Sequence, residues 1–342
     1  MNTTAMRALW FALAIGLGFA AQARADPTLD RIRQRGELIC GVQTGVAGFS
    51  YPDAQGRYRG FNVDICRAIA AAIFGDPDKV KYLPLSEQQR FIALQSGDAD
   101  LLSNNTTWTI QRDTELGLNF GPVVFYDGEG FMVPKKLGVQ NFKELNGATI
   151  CVQLGTTTEL HVADYFRAHN LDFKPVVIES LDELLAAYFS GRCDALAQDA
   201  SQLAAHRAGR AGNPEDHVIL AERISKEPLA PVVRQGYDQW HDLVDWVVFA
   251  LMDAEEQGVT QRNVDDMLSS DDPGMKRMLG VSTGLGKGLG LEDKWVYYAI
   301  KAVGNYGEIF DRNLGEGSPL KLDRSLNRLW TKGGLIYGIP LS

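Results

Sequence analysis

The 342-residue chain is 45% hydrophobic and 23% charged, with a formal net charge of −9 at pH 7. An acidic balance without a basic run argues against nucleic acid or anionic lipid as a partner, since both are held through clustered cations. The length exceeds what one compact core usually supports, so two lobes are expected.

Residues 1–7 carry the positive charge of Arg7. Residues 8–21 form a nearly unbroken apolar run, and Ala23-Arg24-Ala25 follows as a small-x-small pattern. This is the layout of a secretory signal peptide cleaved after Ala25, and it predicts a periplasmic protein. The run falls short of the roughly 20 residues that span a bilayer. No lipobox cysteine precedes the cut, so a mature chain free of the membrane is expected.

From residue 38 the hydrophobic pattern alternates between strand and helix. The spacing predicts strands over 38–42, 80–84 and 101–103, with helices over 62–73 and 86–95. It then repeats, with strands over 149–153, 174–177 and 195–198 and helices over 158–169 and 181–190. Two motifs recur in the same order. Gly36-Glu37-Leu38-Ile39-Cys40 returns as Gly147-Ala148-Thr149-Ile150-Cys151, and Ser96-Gly97-Asp98-Ala99-Asp100-Leu101-Leu102 returns as Ser190-Gly191-Arg192-Cys193-Asp194-Ala195-Leu196. In each second motif a glycine ends a helix and a short apolar run follows as a buried strand. The pattern predicts two similar α/β halves, each a mostly parallel sheet flanked by helices.

Between the halves, residues 123–133 form an extended apolar stretch broken by Gly128 and Gly130, suited to a crossover. Residues 229–233, marked by Pro228 and Pro231, lead the chain back. Lobe 1 is therefore expected over 26–127 plus 233–342, and lobe 2 over 131–230. Helices are predicted over 240–256, 294–310 and 322–330, as a cap on the first lobe. The glycine-rich run 284–290 lacks the phosphate-loop spacing, and no strand precedes it; it reads as a flexible surface loop.

The four cysteines, Cys40, Cys66, Cys151 and Cys193, suit an oxidising compartment and a disulfide framework. Three pairings are open. There is neither a CxxC motif nor Cys/His clustering, so no metal site is expected. The five histidines stand apart from any Ser/His/Asp or HExxH arrangement, and no cofactor or catalytic residue is expected.

Gly60-Phe61-Asn62-Val63-Asp64-Ile65-Cys66 resembles the G-F-[DN]-x-D-[LI] signature of the polar-amino-acid family of bacterial solute-binding proteins. The segment 103–112 with the following Phe120-Gly121-Pro122, then Gly155-Thr156-Thr157, then Gln198-Asp199, resemble three further blocks of that family in order and spacing. The long extension 265–342, Cys66 within the signature and the Asn105-Thr106-Thr107-Trp108-Thr109 run are similar to the general L-amino-acid-binding members. The resemblance implies a type II periplasmic-binding-protein fold, in which two α/β lobes joined by two crossover strands close on a ligand. It further implies a free L-amino acid as ligand, an inner-membrane ABC transporter permease as partner, a monomer and no catalysis. A dehydratase-type enzyme on the same fold is the alternative. Since each pair then falls within one half, Cys40–Cys66 and Cys151–Cys193 are the expected bonds, contributing about 3–4 kcal/mol each.

The same resemblance assigns the site. Arg112 clamps the ligand α-carboxylate with its planar fork. Thr107 donates to it, Asn105 lies beside it, and Thr157 adds the hold of the second lobe from a helix start. Asp199 pairs with the α-ammonium. Side-chain selectivity falls to Gln43, Arg90 and Phe49, the last either as an aromatic wall of the cleft or simply as part of the core. Arg90 matches the position that meets a second carboxylate in acidic-amino-acid binders, and Gln43 is neutral where basic-amino-acid binders carry an acid. Glutamate, aspartate and their amides are the expected ligands.

Overall fold

A computed structural model of the chain describes residues 27–282 and 284–341. The expected export signal and its cleavage point lie outside these residues. No described helix is long and apolar enough to cross a membrane.

The chain enters through α1 (Pro27–Arg35) and then lays down β1 (Leu38–Val42), a short hairpin of β2 (Tyr51–Pro52) and β3 (Tyr58–Arg59), α2 (Phe61–Phe74), β4 (Val80–Pro84), α3 (Gln89–Ser96), β5 (Leu101–Thr107), α4 (Ile110–Glu115), β6 (Leu118–Phe120) and β7 (Phe125–Asp127). After Gly128 it builds a second body: β8 (Glu129–Pro134), β9 (Thr149–Gln153), α5 (Thr157–Ala168), β10 (Lys174–Ile178), α6 (Leu181–Phe189), β11 (Ala195–Asp199), α7 (Ala200–Arg210) and β12 (His217–Ile219). It returns through β13 (Glu227–Arg234) and ends in α8 (Asp238–Glu256), α9 (Val264–Met267), α10 (Pro273–Met278), α11 (Trp295–Val303) and α12 (Tyr306–Asn313).

Two sheets result, ordered β4-β1-β5-β13-β6 and β10-β9-β11-β8-β12, with β7 paired to β13. In each, three parallel strands (β4, β1, β5 or β10, β9, β11) are followed by a strand running the other way. That fourth strand is the one that arrives from the opposite body: β13 in the first sheet, β8 in the second. The internal echo of the sequence is therefore a real structural repeat, and the chain crosses twice between lobes.

The signature segment around Phe61 turns out to be architectural. At Gly60 (φ 129°) an added Cβ would lie 2.2 Å from the carbonyl oxygen of Phe49, so only glycine fits. Phe61 packs edge-on against Phe49 and Phe125. The Asp64 carboxylate accepts from the Arg312 guanidinium at 2.6 Å and from Asn313 Nδ2 at 2.7 Å, tying α2 to α12. Cys66 is bonded to Cys40 across the first lobe, and Cys151 to Cys193 across the second, with Cα–Cα distances of 6.3 and 5.7 Å.

The C-terminal region departs from the helices expected there. The segment 294–310 is two helices, because Gly304 turns to φ 78° and Asn305 opens α12 with a capping box to Glu308. An α-helix over 322–330 is absent. Lys321 and Ser325 take positive φ, and the Asn327 side chain bonds to both the N–H and the carbonyl of Tyr126 on β7, at 2.6 and 3.1 Å. Nor is the 284–290 run a loose loop. The N–H groups of Gly284 and Gly286 donate to Asp293 Oδ1, and Gly286 is pressed so close to the Glu292 carbonyl that a Cβ would lie 2.5 Å away. This region packs against the first lobe: α11 lies on α2 and α8, and α12 on the same pair.

Candidate functional site

The parallel strands of the two sheets end facing each other, which is where open α/β sheets place ligands. From the first lobe, β5 brings Asn105 and Thr107 and the start of α3 brings Glu87 and Arg90. From the second come Gln153 at the end of β9, Thr156 to Thr158 at the start of α5, and Gln198, Asp199 and Gln202 around the end of β11. The cavity they line is narrow, about 20 Å³.

Of the eight residues expected to bind, five line this space: Arg90, Asn105, Thr107, Thr157 and Asp199. Asn105 sits at φ 53°, a left-handed turn that asparagine tolerates. Its Oδ1 accepts from Asn62 while its buried Nδ2 has no protein partner. Arg112 lies just behind. Thr109 caps the short α4 by accepting from the Arg112 N–H, and the Arg112 guanidinium donates to the Thr107 carbonyl at 3.0 Å and stacks over Phe91. It is 8% exposed and has no carboxylate at ion-pair distance among the described residues. Burial, and then the charge of Arg90, pull its pKa down to about 10.

Gln43 is also buried. Its Nε2 reaches Gln202 Oε1 across the lobes at 3.5 Å, and its own Oε1 has no partner. Phe49 does not join the group. Its ring is fully buried against Phe61 and Phe125, in the core of the first lobe, rather than standing as a wall of the cleft. An aromatic in a glycine-rich turn is compatible with either place, and packing decided.

Opposite Arg112 the charge reverses. Asp199, 5% exposed, accepts from Gln202 Nε2 at 2.9 Å. Burial pushes its pKa well above the usual carboxylate range, and Asp127, Glu227 and Glu129 nearby push the same way. Asp127 is held by the hydroxyl and N–H of Ser201. Glu227, at the start of the returning strand, is the residue on which both lobes converge: it accepts from Thr107 Oγ1 at 2.6 Å, from Thr157 Oγ1 at 3.1 Å and from the Ser225 hydroxyl. His161 of α5 bridges Glu129 at 3.0 Å and Glu227 at 3.4 Å, and these bonds raise its pKa to about 10. It is a fixed cation at neutral pH.

Sequence reasoning missed Glu87, Gln202, Glu227, Glu129 and His161. Two carried a signal. Glu87 stands three residues before Arg90 and forms an ion pair with it, a spacing that helix geometry favours. Gln202 stands three residues after Asp199, on the same turn. The other three meet only through long-range folding.

Residues 38–263 match the bacterial extracellular solute-binding proteins, family 3. The chain belongs to this family. It is 55% identical over 327 residues to the general L-amino acid-binding periplasmic protein AapJ of Rhizobium johnstonii, covering 95% of this chain and 96% of that one. To the glutamate/glutamine/aspartate/asparagine-binding protein BztA of Rhodobacter capsulatus it is 50% identical over 321 residues, covering 94% and 95%. Among solved structures, the periplasmic binding protein from Brucella ovis with glutathione bound superposes with a TM-score of 0.90 at 55% identity, covering 92% of this chain and 99% of that one. The fold of this solute-binding protein is type II, as the motifs implied.

Proposed function

We propose that this solute-binding protein captures free L-amino acids in the periplasm and delivers them to an ABC transporter permease, without altering them. One observation carries the reading. Arg112 is a buried cation with no carboxylate at ion-pair distance among the described residues, and Asp199 of the other lobe is a buried acid crowded by three more. A zwitterion supplies what each end lacks, an α-carboxylate for Arg112 and an α-ammonium for Asp199. Such a ligand favours the closed state over the open one, and that difference in affinity is what drives closure. Asn105 Nδ2 adds a donor at the carboxylate end.

Arg90, which lies over the Phe91 ring beside Arg112, supports glutamate, aspartate, glutamine and asparagine as ligands. Arg90 is already paired with Glu87, while its Nε has no partner. An ion-paired guanidinium in a cavity it shares with the Gln202 amide receives a carboxylate or an amide with similar ease. The name of BztA gives this range, that of AapJ a general L-amino-acid one, and the glutathione of the Brucella ovis relative presents the same α-amino-acid head. A dehydratase would need an acid or base set against the reacting carbon of the ligand, whereas here the buried acids gather at the end proposed for the α-ammonium.

A thermal-shift screen of the twenty L-amino acids tests this, since stabilisation grows with ligand concentration over Kd. The expected result is the largest shifts for the four acidic and amide ligands, each recovered unchanged by mass spectrometry. Shifts confined to lysine and arginine, or none at all, would overturn it.

A further inference from the structure

A second cavity of about 280 Å³ opens between the lobes beyond the Gln43–Gln202 contact. One wall is the turn after β1, with Thr44, Gly45, Ala47 and Tyr51. The other is α7 with the start of α6, contributing His206, Gly209, Arg210 and Asp182. Gln202, His206 and Arg210 follow one another at intervals of four along α7, so one helix face runs from the amino-acid cavity outward through this groove. Small residues keep the groove open: a Cβ at Gly209 would come within 3.7 Å of Ala47 across it.

Its polar groups are unfinished. His206 is 1% exposed, its buried Nε2 has no partner, and burial, reinforced by the Arg210 charge, holds its pKa near 3, so it is neutral. Gln43, the residue before Thr44 of the lining turn, likewise has a buried Oε1 without a partner among the described residues. At the outer end Arg210 pairs with Asp182 but stays 45% exposed at the side chain, with further N–H donors facing water.

We propose that this groove is a subsite for ligands whose side chain is extended through an amide to a terminal carboxylate, the chemistry of a γ-glutamyl peptide. The inference rests on the amino-acid reading, because the head must lie between Arg112 and Asp199 for a γ-linked tail to pass Gln43 and Gln202. The linking amide then meets those two side chains and His206, and the terminal carboxylate meets Arg210.

Calorimetry with L-glutamine, γ-glutamylglycine and glutathione on wild-type, Gly209→Leu and Arg210→Ala protein tests it. Leucine is compatible with the helix and exposed at this position, so folding is retained. The wild type should bind all three ligands. Gly209→Leu should weaken both peptides about tenfold or more by steric exclusion while glutamine stays within about twofold. Arg210→Ala should weaken them about threefold, the scale of an exposed ion pair. Glutamine binding without peptide binding by the wild type, or equal loss of glutamine and peptides in Gly209→Leu, would overturn the groove alone. Failure of all three ligands on the wild type would overturn the amino-acid reading and the groove with it.

Discussion

The two ends of the cleft solve opposite electrostatic problems. At the Arg112 end a guanidinium rests on Phe91 and the Thr107 carbonyl with no acid at ion-pair distance. At the Asp199 end four carboxylates gather where both crossover strands start, offset within the cluster chiefly by His161. Buried charge without a counter-charge is costly, so each end is destabilised in the ligand-free closed form. On the proposed reading one zwitterion relieves both, so the cleft closes poorly on itself and well on that ligand.

Asp199→Asn gives the largest expected effect. It should weaken amino-acid binding about 100-fold or more, because losing one member of a buried charge pair costs about 2–5 kcal/mol. Yet the ligand-free protein should melt at the same temperature or higher, since the variant removes a crowded charge; a melting scan and calorimetry on one sample read both signs. Arg112→Ala should weaken binding by a similar factor without that compensating gain. Arg112→Lys should recover only part of the loss, as an ammonium lacks the planar fork.

The acidic end also sets a pH dependence. Asp199 is raised in the folded ligand-free state above its ordinary 3.8. Its protonated form is therefore favoured by folding. The stability this gives is full below about pH 4 and is lost as pH rises through the raised value. A bound ammonium favours the ionised form, so the ligand-induced shift in melting temperature should grow with pH from 4 upward. In Asp199→Asn that growth should vanish, and its persistence would place the titration elsewhere.

Smaller effects sharpen the account of selectivity and scaffold. Glu87→Gln frees the Arg90 charge and should raise the preference for glutamate over glutamine about tenfold, seen as the ratio of the two Kd values. Asn327→Ala should cost about 1–3 kcal/mol of stability, the penalty for leaving the Tyr126 backbone groups unpaired, with amino-acid affinity nearly unchanged.

Much of this was legible in the sequence because it is local. The bounds of β1, β4 and β9 follow from short apolar runs between breakers, and Asp199 stands at the end of such a run. The two recurring motifs disclosed the doubled α/β body. What escaped was non-local. Glu129, His161 and Glu227 stand far apart in the chain and meet only at the crossovers, and nothing around any one of them marks the meeting. Phe49 stayed open between core and cleft wall because hydrophobicity alone does not separate the two. The segment 294–310 has helical period throughout, and the break at Gly304 depends on a capping box whose glutamate is equally at home inside a helix. Residues 322–330 gave up helix for bonds to a strand some 200 positions earlier.

The central claim is most directly tested by calorimetric titration of three related ligands: L-glutamate, N-acetyl-L-glutamate, which lacks the ammonium, and γ-aminobutyrate, which lacks the α-carboxylate. The account predicts tight binding of the first and a loss of about 100-fold or more for each of the others. Binding of either analogue within about tenfold of L-glutamate would contradict it.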